Sequence, residues 1–239
     1  MNTNRPAYVI VFTALITAGF TAAVMTVQDL AEDKIAANEA GRFGRALVDV
    51  LGVGESEDLS GKQVAEIIET RIKFGFMVKD PQTGKEFEVI RAYGQDISSA
   101  GLGDADVTGL AFRIEGKGFW APISGLIALS PDLKQIKGIV FLDHKETPGL
   151  GGRISEEWFV EQFAGRDISR KVSGNKFICV SKDEPSAAGD PRYGRPVEAI
   201  TGATQTSMAV EKLVNENLAQ FRRGMQRGLK RPTEAEGNK

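Results

Sequence analysis

Four hydroxyl residues, Thr201, Thr204, Thr206 and Ser207, crowd around Gly202 and Ala203 in the stretch E-A-I-T-G-A-T-Q-T-S-M-A-V, directly before an apolar-periodic run. A hydroxyl before a helix ordinarily caps it, accepting one of the unpaired amide hydrogens of the first turn. One is enough for that task. A helix start also concentrates free N–H groups and partial positive charge, so it suits an anionic group such as a phosphate. Gly202 permits a sharp turn, Ala203 keeps the surroundings small, and Thr204 falls at the edge of such a site. The residues themselves leave a plain cap and a phosphate contact both open, with Thr206 or Ser207 as the capping hydroxyl.

A second segment with chemical content is H-K-E-T-P-G-L-G-G-R, His144 to Arg153. Pro148 stiffens it, and the glycines 149, 151 and 152 allow positive φ and strip away side-chain bulk. Backbone amides in such a loop approach a flat ligand closely, with Leu150 as the one apolar group between the glycines; the alternative is an ordinary turn. His144 is the sole histidine and Cys179 the sole cysteine. A metalloenzyme or a Ser-His-Asp hydrolase would depend wholly on His144, which reads as a hydrogen-bonded residue at a strand end. Cys179 lies in the apolar run K-F-I-C-V and reads as packing; alone it excludes an intrachain disulfide and a cysteine metal cluster. No catalytic group and no metal ligand set are expected. The formal net charge of -2 argues against a nucleic-acid partner, which calls for a basic face.

The elements that must position these segments are legible from hydrophobic period. Strand-like runs occupy Phe74–Val78 and Phe87–Ala92 on either side of the P-Q-T-G turn, then L-A-F-R-I-E-G, I-S-G-L-I-A-L and I-K-G-I-V-F-L. A helix is expected around Lys62–Ile72, a short one at Glu156–Phe163, a strand at Lys176–Val180 and a final helix from about Gln205 to Arg222. Clustered strands flanked by helices, without βαβ alternation, indicate an α+β domain with a twisted, mainly antiparallel sheet. From Pro6 to Gln28 no residue is charged, long enough for a transmembrane helix. Arg5 precedes this stretch and Asp29, Glu32 and Asp33 follow, so the charge bias puts the N-terminus in the cytoplasm. A cleaved signal peptide is the alternative, but its apolar region is normally shorter. Thr13, Thr17 and Thr21, with Ala14, Ala18 and Ala22, form a small-residue face suited to helix packing in lipid. The expected organisation is residues 1–28 as N-terminus and anchor, 29–60 as helical stalk and linker, 61–224 as the domain and 225–239 as a polar, frayed tail.

The two glycine-containing segments, with G-K-G-F-W-A-P-I-S-G-L-I-A-L from Gly116, resemble the FMN-binding subunit family of NqrC and RnfG. Those subunits come from sodium-pumping NADH:quinone oxidoreductase and from the Rnf complex. E-A-I-T-G-A-T, Glu198 to Thr204, is similar to the family's signature Asp-x-x-(Ser/Thr)-Gly-Ala-(Thr/Ser), with Glu198 in the place of Asp. H-K-E-T-P-G-L-G matches the family's loop. The resemblance implies FMN held by a phosphoester to Thr204, installed by a flavin transferase of the ApbE type. It implies a phosphate turn of Thr201, Gly202 and Ala203, and an isoalloxazine border of Glu146, Thr147, Gly149, Leu150 and Trp120. It further implies an electron-transfer subunit of a membrane-bound NADH:quinone or NADH:ferredoxin oxidoreductase, with other Nqr- or Rnf-type membrane subunits as partners. The place would be the bacterial inner membrane, with the FMN-binding domain on the extracytoplasmic side. The Gly-Phe-Trp run leans towards NqrC and His144 towards RnfG. A stand-alone flavinylated carrier, a non-redox anchored binding module and a purely structural assembly subunit are the competing readings.

Overall fold

Apolar, charge-free sequence at the start gives way to a charged helical pattern with no proline or capping break, and both become one helix, α1, Pro6–Leu51. The computed structural model describes residues 6–54, 56–98, 103–172, 174, 176–181 and 196–229. The chain divides into two compact units, Met1–Phe43 and Gly44–Lys239. In the first, Pro6–Glu32 has a mean hydropathy of 2.0 and is long and apolar enough to cross a membrane. In the second, the last turns of α1 bury Leu47, Val48 and Leu51. The end of α1 from Gly44 therefore belongs to the second unit, whereas the sequence pattern assigned residues 29–60 to stalk and linker.

Within the second unit, α2 (Gly61–Arg71) starts on a capping box. The Ser60 hydroxyl accepts from Gln63 N–H while the Gln63 side chain accepts from Ser60 N–H at 2.9 Å. Five strands follow as a simple meander: β1 (Ile72–Lys79), β2 (Glu86–Tyr93), β3 (Val107–Lys117), β4 (Pro122–Leu129) and β5 (Ile136–Asp143). Every neighbour pairs antiparallel and spatial order follows chain order. The sheet is thus the antiparallel one expected, with each of the five strand-like runs in place.

After β5 come a 3-10 turn (Gly151–Ser155), the short helix α3 (Glu157–Val160) and another 3-10 turn (Glu161–Phe163). The strand expected over Lys176–Val180 is reduced to β6, Val180–Ser181, paired in parallel with β7, Val197–Glu198. The cause is a helix side chain standing where a neighbouring strand would be. Asn215 Oδ1 accepts from the N–H groups of Phe177 (2.6 Å) and Ile178 (3.1 Å), and its Nδ2 donates back to Ile178 O (2.9 Å).

The long helix α4, Thr204–Leu229, closes one face of the sheet. Val210, Leu213, Val214, Leu218, Phe221 and Met225 recur at helical spacing and are buried. Phe221 stacks on Phe112 of β3 with ring centroids 3.8 Å apart, and Phe87 of β2 meets both rings edge-on. Helix α4 outlasts the expected end at Arg222 by two turns. Arg223 there makes a bidentate pair with Asp80 at 2.8 and 2.8 Å, and a Cβ at Gly224 would lie 3.3 Å from the Lys79 carbonyl carbon. Asp80 is fully buried and also accepts from Gln82 N–H, Thr83 N–H and the Thr83 hydroxyl. Glycine weakens a helix by about 1 kcal/mol relative to alanine. Here it permits the contact that holds the last turns down. Residues 230–239 of the expected tail lie outside the described residues.

Candidate functional site

The hydroxyl cluster lies where β7 leads into α4. Ala203 occupies the cap position, with its N–H donated to Ile200 O at 3.0 Å, and Gly202 takes φ = +81°, which a side chain would strain. Thr204 is the first helical residue, and its side chain is exposed, as are Thr201 and Gln205. Among the described residues no side chain accepts the N–H groups of Thr204, Gln205 or Thr206.

The capping role expected of Thr206 or Ser207 is not what the structure shows. Both sit inside the first turn and a half and face inward, too deep to reach back around the first amides. The Thr206 hydroxyl donates instead to Glu146 Oε2 at 2.6 Å, and Ser207 Oγ accepts from Ile200 N–H at 3.1 Å. The first-turn amides are left to solvent or a ligand, a ready position for an anion.

Glu146 brings the second segment in. It is 5% exposed, and its Oε1 accepts from the backbone N–H groups of Phe119 (2.9 Å) and Trp120 (3.1 Å). Among the described residues no cation pairs with it. A buried carboxylate is tolerated when hydrogen-bond donors replace its hydration, and three donors do so here. The resemblance implies Glu146 at the border of a ring, and its carboxylate is directed into protein donors.

The remaining site residues surround this centre. Trp120 Nε1 donates to the Thr147 hydroxyl at 3.2 Å, while the Trp120 ring stays 67% exposed. Phe119 meets it edge-on with centroids 4.8 Å apart and is itself 49% exposed. Leu150 is exposed and lies against the Thr201–Thr204 turn: a Cβ at Gly202 would meet its Cδ2 at 3.0 Å. Gly149 turns the loop at φ = +73° with open space beside it. Thr147, Leu150, Trp120 and the Thr201–Thr204 turn therefore form one exposed, partly apolar rim next to the start of α4. Sequence reasoning missed Phe119 and Met208 as exposed apolar neighbours. It also missed Gly118, where a Cβ would lie 2.6 Å from Glu146 Oε1. The signal for Gly118 was present in G-K-G-F-W, but its partner lies 28 residues on.

His144 is a hydrogen-bonded residue after β5, its Nε2 2.8 Å from Ser155 Oγ. Cys179 is half-buried, and burial together with the neighbouring Glu211 carboxylate pushes its thiol pKa up, away from the nucleophilic thiolate. Glu198 donates its N–H to Gln162 Oε1 at 2.7 Å and keeps its side chain exposed beside the turn.

An antiparallel meander, closed by one long helix whose uncapped start meets a glycine loop and an aromatic turn, defines a small α+β domain. Residues 118–219 match the family described as FMN-binding domain, and they contain all three converging segments. The chain is similar to NqrC proteins. It is 32% identical over 129 residues to the NqrC protein of the Na(+)-translocating NADH-quinone reductase from Chlamydia trachomatis, covering 48% of this chain and 40% of that protein. It is 25% identical to the Pseudomonas aeruginosa NqrC protein over 248 residues, covering 90% of each. The crystal structure of Shewanella oneidensis NqrC shares the fold, with a TM-score of 0.61, 16% identity and coverage of 80% of this chain and 98% of that one. The first relative is thus matched over less than half its length, the Pseudomonas protein over nearly all of it.

Proposed function

We propose that this chain is the membrane-anchored, FMN-carrying electron-transfer subunit of an Nqr-type oxidoreductase. The observation that carries the reading is the convergence of an exposed hydroxyl, an uncapped helix start and an exposed aromatic rim at one place. The residues present fit the cofactor. First-turn amides of α4 and the positive-φ turn at Gly202 suit its phosphate. Thr204, first in the helix and exposed, offers its Oγ for a phosphoester installed by a transferase of the ApbE type. Trp120, Leu150 and Thr147 border the space for a flat ring, with Glu146 behind them. FMN when bound supplies one- and two-electron transfer, and the protein supplies position and a tuned environment. No acid–base pair is required of the chain.

A covalent link makes retention intramolecular, which matters for a domain outside the cytoplasm where lost cofactor is diluted. Pro6–Glu32 serves as the anchor, with the N-terminus in the cytoplasm and the domain beyond the membrane. The relatives found belong to sodium-translocating NADH-quinone reductases, which supports membership of an Nqr-type rather than an Rnf-type assembly, with other membrane proteins of that complex as partners. The test is intact-mass measurement of the full chain co-expressed with a flavin transferase. A single FMN adduct is expected in the wild type, retained in Thr204→Ser and absent in Thr204→Ala. An adduct that survives Thr204→Ala overturns the assignment.

A further inference from the structure

We propose that Glu146 is a positioning residue. Its carboxylate locks the Phe119–Trp120 turn, the 146–151 loop and the start of α4 into one frame that exists before any cofactor arrives.

Each of the three segments reaches the carboxylate by a different route. The turn after β3 offers two backbone N–H groups to Oε1, and α4 offers the Thr206 hydroxyl to Oε2 across 60 residues of sequence. The loop supplies Glu146 itself. Two glycines make room for the arrangement. A Cβ at Gly118 would fall 2.6 Å from Glu146 Oε1, and one at Gly151 would lie 3.0 Å from Oε2 and on top of the Thr206 hydroxyl oxygen. Glycines belonging to two separate motifs are therefore explained by one buried interaction.

The carboxylate engages the helix through Thr206, on the inward side, and takes none of the first-turn amides. Those amides, beside exposed Thr204, stay available for an anion. The frame also fixes the Trp120 backbone, from which the exposed indole projects to reach Thr147. Glu146 thus sets where the rim stands relative to Thr204 without reaching the rim itself.

The measurement is amide hydrogen exchange on the detergent-solubilised full chain, expressed without a transferase, at Phe119 and Trp120. Loss of a charge-assisted acceptor predicts roughly tenfold or faster exchange at both amides in Glu146→Ala. Glu146→Gln keeps an acceptor oxygen and restores protection to within about threefold, because the bond rather than the full charge holds the turn. Thr206→Val, which leaves the fold's apolar volume intact, loosens the same two amides, and Thr206→Ser does not. A second arm rests on the FMN reading: after co-expression with the transferase, Glu146→Ala shows an altered visible circular dichroism of the flavin, and Glu146→Gln regains the wild-type band. Unchanged exchange at Phe119 and Trp120 in both Glu146→Ala and Thr206→Val overturns the proposal. So does a Glu146→Gln variant as exposed as Glu146→Ala. If Glu146→Ala does not fold, the Gln and Thr206 variants decide alone. A wild type that takes no FMN while the exchange pattern holds refutes the cofactor reading and leaves the frame standing.

Discussion

Removing the Arg223 guanidinium tests whether the far end of α4 is fastened by a buried ion pair. Asp80 is fully buried, and Arg223 meets both of its oxygens at 2.8 Å. Breaking a buried pair by deleting one partner costs about 3–5 kcal/mol, because a charge is left uncompensated. Three donors from Gln82 and Thr83 stay behind in Arg223→Ala, and the Arg223 side chain is 31% exposed, so the low end applies. A loss of about 2–3 kcal/mol corresponds to roughly 5–10 °C in Tm for a domain of this size. The pH dependence gives the sharper test. The hydrogen-bonded Arg223 guanidinium holds the Asp80 carboxyl well below the usual carboxylate range. A depressed carboxyl stabilises the fold above its unfolded pKa of about 3.9, and that contribution is lost as pH falls towards the folded value. Urea midpoints of wild type and Arg223→Ala should therefore differ by a constant amount from pH 5 to pH 8 and converge progressively below about pH 4. A Tm within about 1 °C of wild type, or a gap that persists unchanged into acid, would refute the reasoning. Asp80→Asn combined with Arg223→Met should recover part of the loss by removing the unpaired charge.

Two other perturbations follow from the packing. Phe221→Ala removes the ring stacked on Phe112 and should cost about 3–5 kcal/mol, read as a lowered urea midpoint. Cys179 should alkylate with iodoacetamide more slowly at pH 8 than a free thiol, and denaturation should abolish the difference, since burial keeps the thiol protonated.

The strands were legible because β-branched and aromatic residues fall in short runs between turn residues, and a meander asks nothing more of the chain than consecutive pairing. The helix starts were legible from hydroxyls and glycines. Lys176–Val180 misled because an apolar run has no way to announce that its neighbour is Asn215, a side chain on a helix. The polar run from 225 reads as a frayed tail, yet the close approach of Gly224 to Lys79 and the Asp80–Arg223 pair hold α4 there. At the candidate site, the rim residues Thr147, Leu150 and Trp120 and the Thr201–Thr204 turn could be named from motif resemblance. The use made of Glu146 could not, because its partners lie 26 to 60 residues away and only folding brings them together.

The Asp80–Arg223 pair joins positions 143 residues apart, and Lys85–Asn217 joins positions 132 apart. Five strands thus emerge from the ribosome with one greasy face bare, and that face is sheathed only when α4, which comes after all of them in chain order, swings back onto it. The same event delivers Thr204 to the loop and the aromatic turn. Core completion and site assembly then depend on the same packing of α4, the helix that begins at Thr204. On the proposed reading, with FMN on Thr204, the cofactor would sit at the junction that the packing of α4 creates.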